Sequence, residues 1–333
     1  HRRLSIIDLS NAGQQPMSYL DKYYITYNGE IFNYKEIKKE LIDLGYKFKT
    51  KTDTEVIIAS YDKWGPDCVN HFNGMWAFSI FDKEQNILFC SRDRFGIKPF
   101  YFTETEHEFL FGSEIKQLLP FLKKKLANKK ILIDYLMAGF EDHTNETFFQ
   151  NILKLEQSHS LTYDLNKHRY TIDRYYTLKK NPKIENLSEN KIKNEYSKCF
   201  EEAIKLRLRA DVRVGTCLSG GLDSSSIASS AAKIYNQKNK DNFSAIHAKS
   251  GEKKTDESYY AKLVADKSNI DLFNVKATSQ FLDKNLELLI RAMEEPFGSL
   301  SCLMQLMVMQ KAKNLKIKVL MDGQGGDESL LGY

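Results

Sequence analysis

Residues 218–226 read LSGGLDSSS and carry the clearest local signal of fold in the chain. They follow an unbroken apolar run over 212–218 and precede a helical pattern that begins at Asp223. Gly220 and Gly221 permit a tight turn that leaves backbone amides exposed, and the helix start adds unpaired amides and partial positive charge. A strand, a glycine turn and a helix in this order predict a parallel α/β sheet with an anion-binding loop, best suited to phosphate.

The polar residues of this loop indicate which phosphate chemistry it serves. Ser219, Ser224 and Ser225 supply hydroxyl donors, and no lysine follows the glycines as it does in a G-x-x-x-x-G-K-[ST] loop. Amides and hydroxyls without that lysine favour a loop that holds pyrophosphate while chemistry occurs at the α-phosphate. Asp223 would repel the anion unless a magnesium ion bridges it to the phosphates. The alternative is a glycine turn in which Asp or Ser merely caps the helix.

Residues beyond about 190 alternate between helical and strand patterns. The strands are continuous apolar runs, which are typical of a parallel, doubly wound sheet covered on both faces. Predicted strands cover 212–218, 243–248, 270–275 and 317–323, and predicted helices cover 191–208, 223–235, 256–269, about 279–294 and 300–314. In the doubly wound order, we expect strand 317–321 to neighbour strand 212–218 on the side opposite 243–248.

The first half of the chain is instead rich in short aromatic runs separated by turns, which predicts a layered α+β domain. One strand is predicted over 22–32, with a break at Asn28-Gly29, a dipeptide that readily takes positive φ. The other predicted elements are helices at 34–44 and 52–65, an antiparallel meander of strands at 75–82, 87–93, 99–104 and 108–113, helical segments over 114–140 broken at Pro120, and a hairpin over 159–176.

A polar stretch separates these two halves. Residues 177 to about 190 contain Pro182 and show no periodicity, which is typical of a linker. We therefore predict a first domain at 1–176, a linker at 177–190 and a second domain at 191–333.

Composition excludes several classes of protein. The 333 residues carry a net charge of only +5, and the lysine-rich runs are separated, so we expect no nucleic-acid partner. No apolar run is long enough to span a bilayer and no signal peptide is readable, so we expect no membrane partner. The five cysteines lack C-x-x-C spacing, which indicates a reducing cytoplasm and no zinc site. The chain starts at His1 inside a patterned segment and stops at Tyr333 after a glycine-rich loop, so we expect an internal part of a longer protein.

The motifs together resemble a known family. S-G-G-x-D-S is the signature of the PP-loop ATP pyrophosphatases, and nearly the whole chain resembles the glutamine-dependent asparagine synthetases. The segments that carry the resemblance are RLSIIDLS (3–10), QQPM (14–17), YNGEIFNY (27–34), TDTEVI (52–57), NGMWAFSIFD (73–82), RDRFGIKPFYF (92–102), SEIKQLL (113–119), LSGGLDSS (218–225) and DGQGGDESLLGY (322–333). The resemblance implies an N-terminal-nucleophile amidohydrolase with a four-layer αββα sandwich, followed by the PP-loop sheet.

The first half would then hydrolyse glutamine. The family's nucleophile is an N-terminal cysteine, which would lie upstream of His1. Arg3 matches the position that binds the glutamine α-carboxylate, and Asp53 matches the position that pairs with its ammonium group. Asn28 and Gly29 match the oxyanion hole. Glu30 matches a further glutamine contact.

The second half would use ATP to adenylate the side chain of aspartate, which ammonia from glutamine then amidates. Asp327 matches the carboxylate that binds the ammonium group of this substrate, and Glu294-Glu295-Pro296 points toward the same crevice in the family. The positions that match ATP contacts are Cys217, Leu218, Ser219, Gly220, Gly221, Asp223, Ser224, Ile246, Asp322 and Gly323. The resemblance implies ATP and Mg²⁺ as cofactors, with Asp223 reaching the metal through the phosphates. It leaves open a homodimer as the assembly.

Two departures keep alternatives open. Many asparagine synthetases have a glutamate where this chain has Gln324, and glutamine cannot balance the charge of a substrate ammonium group. A related amidotransferase that amidates a sugar acid or a peptide is one alternative, and a non-catalytic nucleotide-binding paralogue is another. The family's C-terminal helices, with a lysine that steadies the intermediate, would lie beyond Tyr333. We therefore expect this part of the protein to be inactive by itself.

Overall fold

The computed structural model describes residues 1–249, 256–276, 278–299, 301–330 and 332. The chain separates into two compact units. The first comprises His1–Lys180 and Glu294–Pro296, and the second comprises Asn181–Met293 and Phe297–Tyr333. No helix within the described ranges is long and apolar enough to cross a membrane.

Two antiparallel sheets organise the first unit. Its strands are β1 (Met17–Tyr19), β2 (Tyr23–Ile31), β3 (Gly74–Asp82), β4 (Ile87–Arg92), β5 (Tyr101–Glu104), β6 (Phe109–Gly112), β7 (Leu153–Lys154), β8 (His159–Asp164) and β9 (Arg169–Arg174). The large sheet has the order β1-β2-β3-β4-β8-β9, and the small sheet has the order β6-β5-β7. The helices are α1 (Tyr34–Asp43), α2 (Asp53–Trp64) and α3 (Lys129–Ala138).

The apolar clusters of the first unit define its layers. Ile37 and Leu41 of α1 and the apolar residues of α2 pack with the aromatic residues of the large sheet. A second cluster joins Ala77 and Leu161 of the large sheet to Phe102 of the small one, so the two sheets pack face to face. The small sheet is covered on its other side by two 3₁₀ turns, Ile115–Gln117 and Leu119–Phe121, whose apolar residues pack with Tyr101 and Leu110.

Three predictions for the first unit were wrong. Strand β2 is not broken at Asn28-Gly29, because each residue from Tyr23 to Ile31 pairs with β3. The four aromatic runs are not one meander, because β3 and β4 belong to the large sheet while β5 and β6 belong to the small one. The segment 114–140 does contain separate helical segments, the two 3₁₀ turns and α3, but the break is not at Pro120, because this residue lies at the start of the second 3₁₀ turn, where a proline is tolerated.

The second unit is a parallel sheet between helices. Its strands are β10 (Val214–Cys217), β11 (Phe243–Lys249), β12 (Ile270–Lys276) and β13 (Val319–Met321), in the order β12-β11-β10-β13. Its helices are α4 (Pro182–Glu185), α5 (Glu189–Arg207), α6 (Leu222–Tyr235), α7 (Ser258–Ser268), α8 (Ser279–Met293), α9 (Ser301–Asn314) and α10 (Gly326–Leu330). β13 therefore pairs with β10 on the side opposite β11, which confirms the predicted neighbour.

Helices cover both faces of this sheet. Apolar residues of α5, α6 and α7 pack with Val214 and Phe243 on one face. Val308 and Ala312 of α9 pack with Ile246 on the other. Strands β10 and β13 are shorter than the predicted runs 212–218 and 317–323, since several of those residues form the loops at the strand ends, whereas β11 and β12 each extend one residue beyond their predicted runs. The predicted start of the helix at residue 300 lies outside the described residues.

Candidate functional site

A cavity of about 800 Å³ opens in the first unit. Its walls are formed by the ends of β2 and β3, the start of α2, and the loops that contain residues 1–7 and 98–100. All five predicted glutamine-binding residues line it, namely Arg3, Asn28, Gly29, Glu30 and Asp53. The structure therefore brings together residues that lie up to 50 positions apart in the sequence.

The predicted oxyanion pair lies in the middle of this wall. Gly29 has φ +156, and a Cβ added to it would lie 2.2 Å from the carbonyl oxygen of Met75 on the paired strand. Only glycine allows β2 to approach β3 this closely, because the obstacle is backbone. The side-chain amide of Asn28 donates to Ser113 Oγ at 3.3 Å, which fixes the amide at the cavity surface. Ser113 lies at the start of the segment SEIKQLL, and no sequence pattern marks its contact with Asn28, 85 residues away.

Asp53 is the first residue of α2 and is buried. Its Oδ2 accepts hydrogen bonds from the Tyr27 hydroxyl and from the Ile31 amide, both at 3.0 Å. Burial raises the pKa of this carboxyl, while the bonds from Ile31 and Tyr27 act in the opposite direction. Glu30 is also buried on the cavity wall. The cavity thus holds two buried carboxyl groups, which suits recognition of a cationic amino group.

Arg3 closes the loop that forms one rim of the cavity. Its Nη2 donates to the carbonyl oxygens of Ile7 and Asp8 at 2.6 and 2.8 Å. Gly13 lies against the guanidinium group so closely that a Cβ there would be 2.3 Å from Arg3 Cζ. The guanidinium group therefore both lines the cavity and stabilises the loop of residues 3–10.

The motif RDRFGIKPFYF turns out to be built around one carboxylate. Asp93 is buried and accepts hydrogen bonds from four backbone amides at 2.9–3.2 Å, those of Trp76, Phe95, Ile97 and Lys98. This arrangement places Lys98 on the cavity wall. Burial lowers the pKa of Lys98, and nearby Glu30 and Asp93 oppose that shift. Lys98 is a candidate site residue that the sequence analysis missed, although it lies inside a quoted motif.

In the second unit, the chain leaves β10 through a loop held by its own serines. Ser219 Oγ and Ser224 Oγ lie 2.8 Å apart, and Ser219 Oγ accepts from the Gly221 amide at 3.2 Å. Gly220 has φ +106, which favours glycine, and Gly221 caps α6 without a side-chain hydrogen bond. The start of α6 therefore presents backbone amides, as an anion site requires.

The second glycine loop packs against this helix start. A Cβ on Gly323 would lie 3.1 Å from the Ser224 amide nitrogen, and one on Gly326 would lie 2.3 Å from Asp223 Oδ2. Cys217 is the last residue of β10, where the first loop begins. Burial raises the pKa of its thiol to about 12, and the charge of neighbouring Asp322 makes a smaller contribution in the same direction. The loops after β10 and β13 therefore meet at one place, as the strand order requires.

The remaining predicted residues of this site differ in accessibility. Leu218 and Ile246 are 1% exposed and belong to the apolar core, so their side chains do not reach the loops. Gln324 is exposed, and its backbone N–H donates to Asp322 Oδ1 at 3.2 Å. Asp327 is half-buried at the start of α10. Among the described residues, no cluster of three potential metal ligands occurs, so a magnesium ion at Asp223 would depend on phosphate oxygens.

Glu294 and Glu295 were expected to point toward the ATP loops, and this expectation is wrong. Glu294 accepts hydrogen bonds from the Ile115 and Lys116 amides at 2.9 and 2.7 Å, and Glu295 accepts one from the Phe148 amide at 2.8 Å. All of these residues belong to the first unit. The two carboxylates accept hydrogen bonds from backbone amides that would otherwise lack a partner, and the sequence pattern does not reveal that these amides are nearby.

Comparison with protein families matches the two halves separately. A glutamine amidotransferase domain family matches residues 1–176, and the asparagine synthase family matches residues 195–333. The chain belongs to the glutamine-hydrolysing asparagine synthetase family. It is a two-part chain with a glutamine amidotransferase region followed by an asparagine synthase region.

Several named proteins are similar to this chain over its whole length. A putative glutamine-hydrolysing asparagine synthetase from Methanocaldococcus jannaschii is 36% identical over 100% of this chain and 66% of its own length. Asparagine synthetase 1 of Bacillus subtilis is 33% identical over 100% of this chain and 51% of its own length. A protein named amidase chry2 from Gibberella zeae is 31% identical over 100% of this chain and 51% of its own length. The chain thus spans about half to two thirds of the length of these relatives.

Proposed function

We propose that the full-length protein is a glutamine-dependent, ATP-consuming ligase that amidates a carboxylate, with aspartate as the acceptor and asparagine as the product. The observation that carries this proposal is the packing of the second glycine loop against Asp223 and Ser224 at the uncapped start of α6. Two backbone loops at one helix start suit a pyrophosphate group better than a single anion.

In the first unit, the cavity would bind glutamine and release ammonia. The buried Asp53 and Glu30 would hold the substrate ammonium group, and Arg3 would hold its carboxylate. The Asn28 amide and the Gly29 N–H would stabilise negative charge that develops on the amide oxygen. The nucleophile would be an N-terminal cysteine of the full-length protein, as in the family.

In the second unit, ATP would supply the adenylyl group that activates the acceptor carboxylate. The amides and hydroxyls of Ser219, Gly221 and Ser224 would hold the departing pyrophosphate. Asp223 would carry a magnesium ion bound to those phosphates. Asp327, next to the second loop, would bind the ammonium group of the acceptor.

A second acceptor class has a specific observation in its favour. Gln324 is exposed in the second loop and carries no charge for a substrate ammonium group. A relative named as an amidase matches the whole chain at 31% identity. A carboxylate without a neighbouring ammonium group, such as that of a sugar acid or a peptide, is the alternative acceptor.

The proposal is tested with the full-length protein, ATP, Mg²⁺, glutamine and a panel of acids, by measuring pyrophosphate release and the amide formed. Aspartate-dependent pyrophosphate release with matching asparagine is the expected result. Release that depends on another acid supports the second acceptor class. No release with any acid contradicts the ligase and favours a nucleotide-binding protein without catalysis.

Asp223→Ala separates the two activities. It should abolish ATP-dependent pyrophosphate release, because the phosphates lose their metal partner, and it should leave glutamine hydrolysis intact. Asp241→Ala, an exposed carboxylate before β11, is the matched control. Persistent pyrophosphate release in Asp223→Ala would contradict the role assigned to the loop.

A further inference from the structure

A buried histidine lies directly beneath the first glycine loop. His247 of β11 is 2% exposed. Its Nδ1 lies 2.8 Å from the carbonyl oxygen of Leu218, and its Nε2 lies 2.9 Å from Ser258 Oγ. Ser258, the first residue of α7, in turn donates its hydroxyl proton to Asp256 Oδ1. Side chains from β11 and the start of α7 thus form one chain of hydrogen bonds that ends on the backbone of the loop.

The direction of each bond follows from what each group can donate. A carbonyl oxygen only accepts, so Nδ1 of His247 must carry a proton. A serine hydroxyl has one proton, and that of Ser258 goes to Asp256, so Nε2 of His247 must donate as well. In this hydrogen-bond pattern both ring nitrogens of His247 act as donors. Bonds from Ser258 lower the pKa of Asp256, with smaller contributions from His247 and Lys249, so the far end of the chain of bonds is held as a carboxylate.

This chain of bonds fixes the residue from which the loop departs. The Leu218 amide donates to the Ile246 carbonyl at 3.0 Å, while the Leu218 carbonyl accepts from His247. Both backbone polar groups of Leu218 are thus tied to β11. Two residues later, a Cβ on Gly220 would lie 2.8 Å from the Glu257 carbonyl oxygen. The start of α7 therefore supports the loop through the hydrogen-bond chain and through direct backbone contact.

We propose that His247, Ser258 and Asp256 form a charged positioning relay that holds the first glycine loop in its phosphate-binding shape. The proposal rests on the proposed function only in that the loop binds ATP. None of the three residues needs to contact the nucleotide. These residues are not a catalytic triad with a serine nucleophile. In a triad the carboxylate bonds to the histidine, whereas here Asp256 bonds to Ser258.

The first test reads the charge directly and needs no catalysis. In full-length protein labelled with ¹⁵N-histidine, the His247 signal is assigned by its loss in His247→Gln. At a pH about one unit above the ordinary histidine pKa of ~6.5, both of its ring nitrogens should show protonated chemical shifts. Asp256→Asn should convert one of them to the unprotonated shift at that pH. An unprotonated nitrogen in the wild-type protein overturns the relay even if the enzyme makes asparagine.

The second test measures the KM for ATP in pyrophosphate release and, separately, the KM for glutamine in glutamine hydrolysis. Ser258→Ala and Asp256→Asn should raise the KM for ATP about tenfold or more, since each removes a bond to a charged group. The KM for glutamine should not change. Ser258→Thr keeps the hydroxyl and should restore the wild-type value. Ser268→Ala, which removes a hydroxyl bonded to Ser229 at the other end of α7, is the matched control.

The outcomes distinguish this proposal from the proposed function. Unchanged KM for ATP in Ser258→Ala, or equal loss in Ser258→Ala and Ser258→Thr, overturns the relay while leaving the ligase in place. If the wild-type protein releases no pyrophosphate, the proposed function fails, and the histidine chemical shifts still decide whether the charged chain of bonds exists.

Discussion

The two candidate sites of this chain differ in the groups that they present to a ligand. The cavity of the first unit is lined by buried side chains, with Asp53 and Glu30 held on strand and helix ends. The loops of the second unit present mainly backbone amides, and Gly220 and Gly323 are needed for close approach. A site built from side chains can distinguish the neutral and charged groups of one small molecule. A site built from backbone amides recognises a phosphate whatever group is attached to it. The difference predicts that substitutions act through side-chain chemistry in one unit and through loop geometry in the other.

Gly29→Ala should have the largest effect, because the space for a side chain at this position of the cavity is occupied by the backbone of the paired strand. The added Cβ would meet the Met75 carbonyl at 2.2 Å inside a paired strand. We expect complete loss of glutamine hydrolysis and a lower melting temperature, measured by an ammonia-release assay and calorimetry. Gly45→Ala, at φ +94 with open space around it, is the control for backbone strain alone. Retained hydrolysis in Gly29→Ala would show that β2 can move away from β3.

Gly220→Ala tests the backbone site in the same way. At φ +106 and 2.8 Å from the Glu257 carbonyl, the new Cβ should force the loop from its place. We expect ATP affinity to fall about tenfold or more, measured with a fluorescent ATP analogue, because alanine at positive φ alone costs ~1–2 kcal/mol. Glutamine hydrolysis should be unchanged. Normal ATP affinity would mean that the loop does not bind phosphate.

Asp53→Asn tests the side-chain site and should separate binding from stability. Loss of the charge should raise the KM for glutamine about tenfold or more, because the substrate ammonium group loses its partner. Burial raises the pKa of Asp53 above its ordinary value of 3.8, so ionisation costs folding free energy. That cost is absent below the unfolded pKa and appears as the pH rises through the folded pKa.

The melting temperature of Asp53→Asn should therefore exceed that of the wild type by a margin that grows from about pH 4 toward neutrality. Thermal unfolding over this pH range measures it. The variant keeps an oxygen acceptor for the Tyr27 hydroxyl and the Ile31 amide. A margin that is constant with pH would show that Asp53 does not titrate as a buried group.

Ser113→Ala should have the smallest effect. It removes the hydroxyl that accepts from the Asn28 amide at 3.3 Å, a long and only partly buried bond. We expect a few-fold lower kcat for glutamine hydrolysis with little change in KM, since a hydrogen bond of this kind contributes ~0.5–1.5 kcal/mol. Thr171→Ala on the edge strand β9 is an exposed control. A larger loss than in Asp53→Asn would give Ser113 a direct catalytic part.

Elements with strong periodicity could be predicted from the sequence, and contacts between distant segments could not. The α2 helix, Asp53–Trp64, fills the predicted range 52–65 to within one residue at each end, and β13 lies beside β10 as predicted. Asn28-Gly29 was predicted to break the strand because the dipeptide favours positive φ, but pairing with β3 across all of β2 overrides this local preference.

The same reasoning applies within the candidate sites. The predicted loop residues meet as expected, because parallel strands deliver their carboxyl ends to one edge. Leu218 and Ile246 have core side chains, which a motif position cannot reveal. His247 gave no signal by itself, since its partner Ser258 is eleven residues away and Leu218 contributes only a carbonyl.

The four amide bonds to Asp93 have a consequence for hydrogen exchange. Trp76 belongs to β3, whereas Phe95, Ile97 and Lys98 lie in a loop without regular structure. Loops of this kind usually exchange their amide hydrogens quickly, because water reaches them without global opening. Here one buried carboxylate gives loop and sheet amides a common protection, so these four hydrogens should exchange together at the slow rate of the sheet.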